Sequence, residues 1–145
     1  MKPFQFRLER VLEWRRRQAE FEQHKLGQAL AQAQRLEAER LALAESRRQA
    51  QLDAVHANAT TAEDLWMLRD YLVQADRQDR LLAERVSKQA RVVENQRHVT
   101  MEAQRRREAL ERLRQSRQDE WRREINRELE AFASEAFLAR WSFPS

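Results

Sequence analysis

The stretch AVHANATTAEDL, residues 54–65, is the one plausible break in a sequence that otherwise favours helix throughout. Asn58 can end a helix, because asparagine tolerates the left-handed conformation. Thr60 with Glu63 then spells the capping box T-x-x-E, which satisfies exposed backbone donors at the start of a new helix, and Thr61 is an alternative cap. We therefore predict helix 1 over about residues 4–57, a turn at about 58–60 and helix 2 over about 61–140.

Composition gives the rest of the chain little means of turning. The 145 residues include one glycine and two prolines, Pro3 and Pro144, which lie at the extreme ends. Charged residues make up 36%, and the good helix formers Ala, Leu, Glu, Gln and Arg dominate. We expect a single all-α domain over residues 1–145. It would be a long antiparallel two-helix coiled coil (helical hairpin) with helix 2 longer than helix 1.

Apolar residues recur along both predicted helices. On helix 1 they recur every eleven positions, or 3.67 residues per turn, which keeps an apolar stripe nearly straight. This series is Leu8, Ala19, Leu30, Leu41 and Leu52, with a companion series of Val11, Glu22, Ala33, Ala44 and Val55. Helix 2 begins with a heptad-like seam of Leu65, Leu68, Leu72, Ala75, Leu82, Val86 and Val93. Its middle, from Gln96 to Arg107, is polar and poorly patterned, so we expect loose packing there.

The unequal lengths leave part of helix 2 without a partner. If the turn centres near residue 59, position i faces roughly position 118 minus i, and Phe4 lies opposite about Arg114. About 25 further residues extend for roughly 37 Å. An apolar stripe with no partner in its own chain suggests a surface for another protein. The alternatives are homo-oligomerisation and a helix 1 start that bends back. The stripe is Trp121, Ile125, Leu129, Phe132 and Ala136, with Phe137, Leu138 and Trp141 at its end.

Charge is balanced along most of the chain but basic near both ends. The 28 basic and 24 acidic residues are intermixed, which suits a solvated helix surface. Residues 1–17 carry six basic and two acidic residues, and residues 104–127 carry nine arginines and five acidic residues. In an antiparallel pair both segments lie at the end that holds the termini. We therefore expect a basic collar there, which includes Arg15, Arg16 and Arg17.

The sequence offers no chemistry for catalysis. There is no cysteine, so disulfides and thiolate metal sites are excluded and a reducing compartment is permitted. No two of His24, His56 and His98 are three or four residues apart, so they do not form a pair of metal ligands on one helix face. The sequence has no glycine-rich phosphate loop. We expect no catalytic residue, no metal site, no cofactor and no enzymatic activity. With no signal peptide and no run of ~18 apolar residues, we expect a soluble cytosolic protein.

Three sequence blocks resemble one known family. The start F-x-F-x-L-E-R-V-L-E-W-R, Phe4 to Arg15, resembles the N-terminus of the flagellar export family FliJ. The block L-W-M-L-R-D-Y-L, Leu65 to Leu72, is similar to the family's leucine–tyrosine block after the turn. The ending E-L-E-A-F-A-S-E-A-F-L-A-R-W, Glu128 to Trp141, is similar to the family's closing block.

This resemblance implies a role in flagellar type III protein export. The family forms the central stalk of the export ATPase: its open end enters the ATPase hexamer, and its other end reaches the cytoplasmic domain of the membrane export gate. It is also described as a chaperone or an escort for export chaperones. The location implied is cytoplasmic, at the inner face of the cell membrane through the export apparatus.

The resemblance also suggests which residues make these contacts. The best-matching positions for the gate patch are Tyr71, Ala75, Gln78 and Leu82. Together with the stripe and collar, it suggests an ATPase-ring contact of Arg15, Arg16, Arg17, Trp121, Arg122, Arg123, Ile125, Phe132, Phe137 and Trp141.

Two other functions remain open. One is the stalk protein of a virulence injectisome, which shares the architecture. The other is nucleic-acid binding, in which tryptophans would be stacking platforms between arginines. A basic zipper, however, needs one basic helix directly upstream of leucine heptads. Here acidic residues interrupt the basic segments and a capped turn splits the chain, so protein contact is favoured.

Overall fold

The computed structural model of the chain describes residues 2–57 and 61–142. Within these ranges the chain forms two α-helices, α1 over Glu9–His56 and α2 over Ala62–Ser142. The expected all-α fold with a longer second helix is confirmed. The predicted turn at residues 58–60, including Asn58 and Thr60, lies outside the described residues.

The helix starts differ in how well the sequence predicted them. At α2, the Asp64 backbone N–H donates to Thr61 Oγ1 at 3.2 Å, so Thr61 is the cap. At α1, the helix begins at Glu9 rather than at residue 4. Phe4 and Phe6 lie in a non-helical segment that precedes the helix, and the Glu9 backbone N–H donates to Phe6 O at 3.1 Å, which closes a turn at residues 7 and 8.

The described residues fall into two compact units, named here for their place in the sequence. The middle unit is Phe21–Thr100, and the terminal unit combines Met1–Glu20 with Met101–Ser145. In each unit a segment of α1 packs antiparallel against a segment of α2. The expected single domain over residues 1–145 stays a prediction.

Burial along α1 follows a spacing of four and three residues, not eleven. Leu12, Ala19 and Leu36 are buried at this spacing, whereas Leu41 is 72% exposed. Two helices that pack along their length keep a repeat of 3.5 residues at their seam. A stripe with a repeat of 3.67 residues therefore drifts away from the partner helix. The predicted eleven-residue seam is wrong for Leu30, Leu41, Leu52 and Val55, which are exposed, whereas Glu22 and Ala33 of the companion series do lie on the seam.

The seam of α2 is largely as predicted. Ala75 and Val93 are buried, and the other predicted seam residues Leu68, Leu72, Leu82 and Val86 are half-buried. Leu65 is 55% exposed and does not belong to the seam. The heptad pattern of α2 was read correctly because large aliphatic residues occupy most of its seam positions.

Cross-helix contacts in the middle unit match the predicted register to within one residue. Arg40 Nε donates to Asp79 Oδ1 at 2.9 Å, and the hydroxyls of Ser46 and Tyr71 lie 2.5 Å apart. Gln89 Nε2 donates to the backbone carbonyl of α1 at residue 29, at 3.0 Å. In the middle unit these pairs confirm that position i faces roughly position 118 minus i, whereas the Glu9–Arg114 and Arg16–Glu111 pairs of the terminal unit depart from it.

The polar stretch of α2 that was expected to pack loosely is instead well ordered around Glu22. Gln96 Nε2 donates to Glu22 Oε2 at 2.6 Å and to Glu22 O at 3.2 Å, and Thr100 Oγ1 donates to Glu22 O at 3.1 Å. Thr100 is 3% exposed and Glu22 is 9% exposed. The expectation of loose packing is wrong, because these side chains satisfy one another across the seam. We call Glu22, Gln96 and Thr100 the seam polar cluster.

Replacing Gln96 should destabilise the helix pair. Gln96→Leu leaves the Glu22 carboxylate without its 2.6 Å donor in a nearly dry seam, so we expect a loss of about 1–3 kcal/mol of unfolding free energy. Urea unfolding followed by circular dichroism measures this loss. The control is Gln115→Leu, because exposed Gln115 bonds only to Asp119 within α2 among the described residues. Equal changes for the two variants would contradict the role of the cluster.

The Arg40–Asp79 pair should make stability depend on pH. The hydrogen bond from Arg40 holds the pKa of Asp79 below its ordinary value. Because the folded-state pKa is the lower one, the stabilisation is present above the unfolded pKa, about 3.9, and is lost as pH falls through the folded value. The melting temperature of wild type should therefore exceed that of Asp79→Asn at pH 7, and the difference should vanish at acid pH.

A second variant separates this pair from general charge effects. Asp76 pairs with Arg80 within α2 at 3.1 Å and does not bridge the helices. Asp76→Asn should therefore give a smaller difference in melting temperature at pH 7. Added salt should reduce the Asp79 difference as well, because the pair is partly open to solvent. A pH-independent difference for Asp79→Asn would exclude the pair as its origin.

Candidate interaction surfaces

The last part of α2 carries large apolar side chains that the described chain leaves bare. Every residue of α2 from 126 to 142 is exposed. Phe132 is 71% exposed and Trp141 is 74% exposed, and the rings of Phe137 and Trp141 lie 6.1 Å apart. Side chains of this size at this exposure are typical of a surface that another protein covers. We call this surface the tail stripe: Leu129, Phe132, Phe137, Leu138 and Trp141.

The first two residues of the predicted stripe are not bare. Trp121 and Ile125 are half-buried. Trp121 Nε1 donates to Lys2 O at 3.1 Å, and the Trp121 ring lies 5.9 Å from the Phe4 ring. The residues before α1 therefore cover this part of the stripe, which corrects the expectation that its whole length is free. For Trp121 and Ile125, the structure shows the alternative in which the start of the chain bends back onto α2.

The predicted collar arginines belong to the terminal unit, but their contacts differ from the prediction. Arg16 pairs with Glu111 at 3.1 Å. The predicted register of 118 minus i would have placed Arg16 opposite about residue 102, so the observed partner lies further along α2. Arg15 donates to Gln18 at 3.1 Å, and its guanidinium lies 4.6 Å from the centre of the Trp14 ring. Arg17 is exposed. Part of the collar charge is thus neutralised within the unit.

Net charge is confined to the terminal unit. Residues 2–20 and 101–142 carry 16 basic and 12 acidic residues, whereas residues 21–100 carry 12 of each, so the difference accounts for the net charge of +4. Arg122 and Arg123, beside Trp121, are exposed and have no ion pair among the described residues. The terminal unit therefore combines a positive field with the tail stripe.

The four predicted gate residues do not share one accessible surface. Tyr71 is 38% exposed and Gln78 is exposed. Ala75 is 3% exposed in the seam, and Leu82 is half-buried there. Ala75 is therefore occupied by the packing of the two helices. Any contact of this patch has to be made by Tyr71 and Gln78.

An apolar cluster at the start of α2 was missed by the sequence reasoning. Four large apolar side chains there are between 44% and 71% exposed, and Tyr71 lies among them. The signal was present, because the segment from residue 65 to 73 holds more large apolar residues than one seam can bury. We call these exposed residues, which lie on more than one side of the helix, the α2-start cluster: Leu65, Trp66, Met67, Tyr71 and Val73.

The described residues show neither a metal site nor a membrane span. Residues 2–57 and 61–142 contain no group of three or more His, Cys, Asp or Glu that could hold a metal ion. Neither α1 nor α2, as described, has a stretch long and apolar enough to cross a membrane. The surfaces above are suited to contact with other proteins.

Comparison with known proteins gives one match. A family model described as the flagellar FliJ protein matches residues 4–130. The match includes the non-helical segment before α1, the α2-start cluster and the first residues after Ile125. Searches of curated proteins and of solved structures give no significant match.

Proposed function

The chain belongs to the FliJ family and is a flagellar protein related to export, and from this we propose that it is the non-enzymatic stalk of the export ATPase. The terminal unit inserts into the ATPase hexamer, and the α2-start cluster contacts the cytoplasmic domain of the export gate. The proposal includes a chaperone-like role towards export chaperones. It also includes a cytoplasmic location, peripheral to the inner face of the cell membrane.

The exposed tail stripe is the single observation that carries the ATPase contact. Phe132, Phe137 and Trp141 are each more than 60% exposed. Aromatic side chains of this kind are enriched at the energetic centres of protein interfaces. Burying them in a ring would remove this apolar area from water, which is the main driving force of association.

The charge of the terminal unit supports the same contact. Its excess of four basic residues would attract an acidic entrance of a ring, and such fields raise association rates more than final affinity. The exposed Arg122 and Arg123 lie directly beside the stripe and suit contact with carboxylates. Acidic residues within the unit limit this field, so the contact is expected to depend only moderately on salt.

The gate contact is supported by the α2-start cluster rather than by the four residues first matched to it. Tyr71 and Gln78 remain candidates, because their side chains are accessible. Trp66 and Met67 join them, because they are 60% and 71% exposed. Ala75 and Leu82 support the contact only indirectly, by packing the helix on which it sits.

Nucleic-acid binding is less well supported. The basic residues of the terminal unit are mixed with 12 acidic ones, and cross-helix pairs such as Arg16–Glu111 and Glu9–Arg114 neutralise several. A duplex-binding protein would show steep loss of affinity between ~50 and ~200 mM salt. The injectisome alternative shares the fold, but family membership points to the flagellar system.

Removing two of the tail aromatics should weaken the ATPase contact without unfolding the chain. The double variant Phe132→Ala with Phe137→Ala removes two exposed rings, and we expect ring binding to weaken by roughly tenfold or more. Stimulation of the cognate ATPase by the purified chain measures the effect. Leu41→Ala is the control, because Leu41 is 72% exposed but belongs to the middle unit. Undiminished stimulation by the double variant would refute the assignment.

A truncation gives a second measure of the same contact. Ending the chain after Glu128 removes the tail stripe but keeps Trp121 and Ile125, which the residues before α1 cover. The truncated chain should keep its helical circular dichroism signal per residue and lose its ability to promote ring assembly. Ring assembly at the wild-type level would place the contact elsewhere.

Tyr71→Ala should weaken gate binding while leaving the helices paired. The variant removes an exposed ring and one hydroxyl contact to Ser46, neither of which belongs to the buried seam. Tyr71→Phe keeps the ring and removes only the hydroxyl, so it should retain most of the binding. Titration of the gate's cytoplasmic domain measures affinity, and Leu81→Ala, at a 55% exposed position, is the control. Affinity unchanged by Tyr71→Ala would discard the contact.

A further inference from the structure

The segment of residues 2–8 lies on α2 but is not helical: residues 7 and 8 form a turn, closed by the Glu9 N–H to Phe6 O bond, before α1 begins. Phe4, Phe6 and Leu8 are half-buried, and the residues between them, Gln5 and Arg7, are exposed. One side of the segment therefore faces α2 and the other faces solvent. We call residues 2–8 the N-terminal segment.

Phe4 anchors the segment between two residues of α2. Its ring lies 5.9 Å from the Trp121 ring, and the Arg114 guanidinium lies 5.5 Å from the centre of the Phe4 ring. Arg114 is itself held by Glu9 at 2.9 Å. Trp121 Nε1 donates to Lys2 O at 3.1 Å, so the polar atom of the indole is also satisfied by the segment.

The segment can separate from α2 without breaking either helix. The backbone groups of α2 are already paired within the helix, so the segment is held by side-chain contacts and not by a backbone ladder. Its fit is also incomplete. A groove of about 1000 Å³ lies between it and α2, lined by Phe6, Leu8, Leu113 and Ile125 among others.

The covered residues and the bare residues form one face of α2. Trp121, Ile125, Leu129 and Phe132 follow one another at spacings of four, four and three residues, which is one helix face. The first two are covered by the N-terminal segment, and the last two are 44% and 71% exposed. A partner helix seated on the bare half and extending along this face would meet the segment at Ile125.

We propose that the N-terminal segment is a releasable cover that occupies Trp121 and Ile125 in cis and competes with the partner helix that binds the tail stripe. The identity of that partner rests on the proposed function, but the cover itself does not. In the free chain the cover shields the two apolar side chains from water. When the partner binds, Phe4 leaves Trp121, and the partner's own apolar residues take its place.

The first experiment measures the cover in the chain alone. Replacing Trp14, Trp66 and Trp141 with Phe leaves Trp121 as the single tryptophan, whose emission is excited selectively over that of Tyr71. In this background Phe4→Ala should raise acrylamide quenching of Trp121 about twofold, because a half-buried ring becomes exposed. Gln5→Ala, an exposed neighbour in the same segment, should leave quenching unchanged. Unchanged quenching in Phe4→Ala would overturn the proposal.

The second experiment measures competition. The partner binds only while the cover is open, so the cover lowers the apparent affinity for the partner by the fraction of molecules that are open. If about one-tenth of the molecules are open, removing the cover should raise this affinity about tenfold. We therefore expect Phe4→Ala in the otherwise native chain to bind the ATPase more tightly than wild type and Gln5→Ala to match wild type. Weaker binding by Phe4→Ala would overturn the proposal, because the segment would then be part of the contact.

A probe that does not involve the ATPase separates this inference from the proposed function. Binding of the apolar dye anilinonaphthalene sulfonate should rise in Phe4→Ala and not in Gln5→Ala. If quenching and dye binding both rise while neither wild type nor variant binds the ATPase, the cover stands and the proposed function fails. Dye binding unchanged by Phe4→Ala would count against the cover itself. Phe6→Ala, which removes the next inward ring, should repeat the result of Phe4→Ala.

Discussion

Neither helix of this chain can bury its apolar seam without the other, and the rest of the structure depends on that constraint. The helices are highly charged, and a single helix of this composition is only marginally stable, because it has no partner against which to bury its apolar face. Pairing supplies the missing burial along positions such as Leu12, Leu36 and Val93. Because the seam must face its partner throughout, it keeps a seven-residue repeat, and every residue off that repeat is left to solvent or to another protein.

The surfaces available for function follow from this division. Where α1 runs beside α2, the seam is filled, and apolar residues off the seam appear singly, as Leu41 does. The tail stripe and the α2-start cluster differ, because several large apolar residues lie together there. The chain covers Trp121 and Ile125 with its own N-terminal segment and leaves Leu129 and Phe132 bare. These four residues lie on one face of α2, which therefore combines a protected part with an accessible part.

The sequence predicted the features that depend on local chemistry or on strong periodicity. The seam from Leu68 to Val93 and the placing of Phe4 near Arg114 were predicted, and the cap at Thr61 was predicted as the alternative to Thr60. Phe4, Phe6 and Leu8 were read as helical, although their alternation and the nearby Pro3 fit a non-helical segment. The leucines at positions 30, 41 and 52 fit an eleven-residue repeat, but the paired helices keep a repeat of 3.5 residues, so these leucines are exposed.

Other features could not be read because they depend on both helices at once. The spacing placed Glu22 on the stripe of helix 1, but no local pattern shows how its polar atoms are satisfied, since its partners Gln96 and Thr100 lie more than 70 residues away. The accessibility of the gate residues was equally hidden, because Ala75 and Tyr71 are distinguished only by which of them faces α1. Contacts between the two helices determine which of these residues are buried, and a single sequence contains little information about such contacts.

The seam polar cluster has a consequence for sliding of the helices along each other. A repeating apolar seam looks nearly the same after a shift of one heptad, about 10 Å of helix. A shift that brings Val93 to the place of Thr100 removes a hydroxyl donor from the Glu22 carbonyl. Neighbouring alignments of the two helices therefore differ in energy, and the three side chains of the seam polar cluster favour one alignment over those shifted by a heptad.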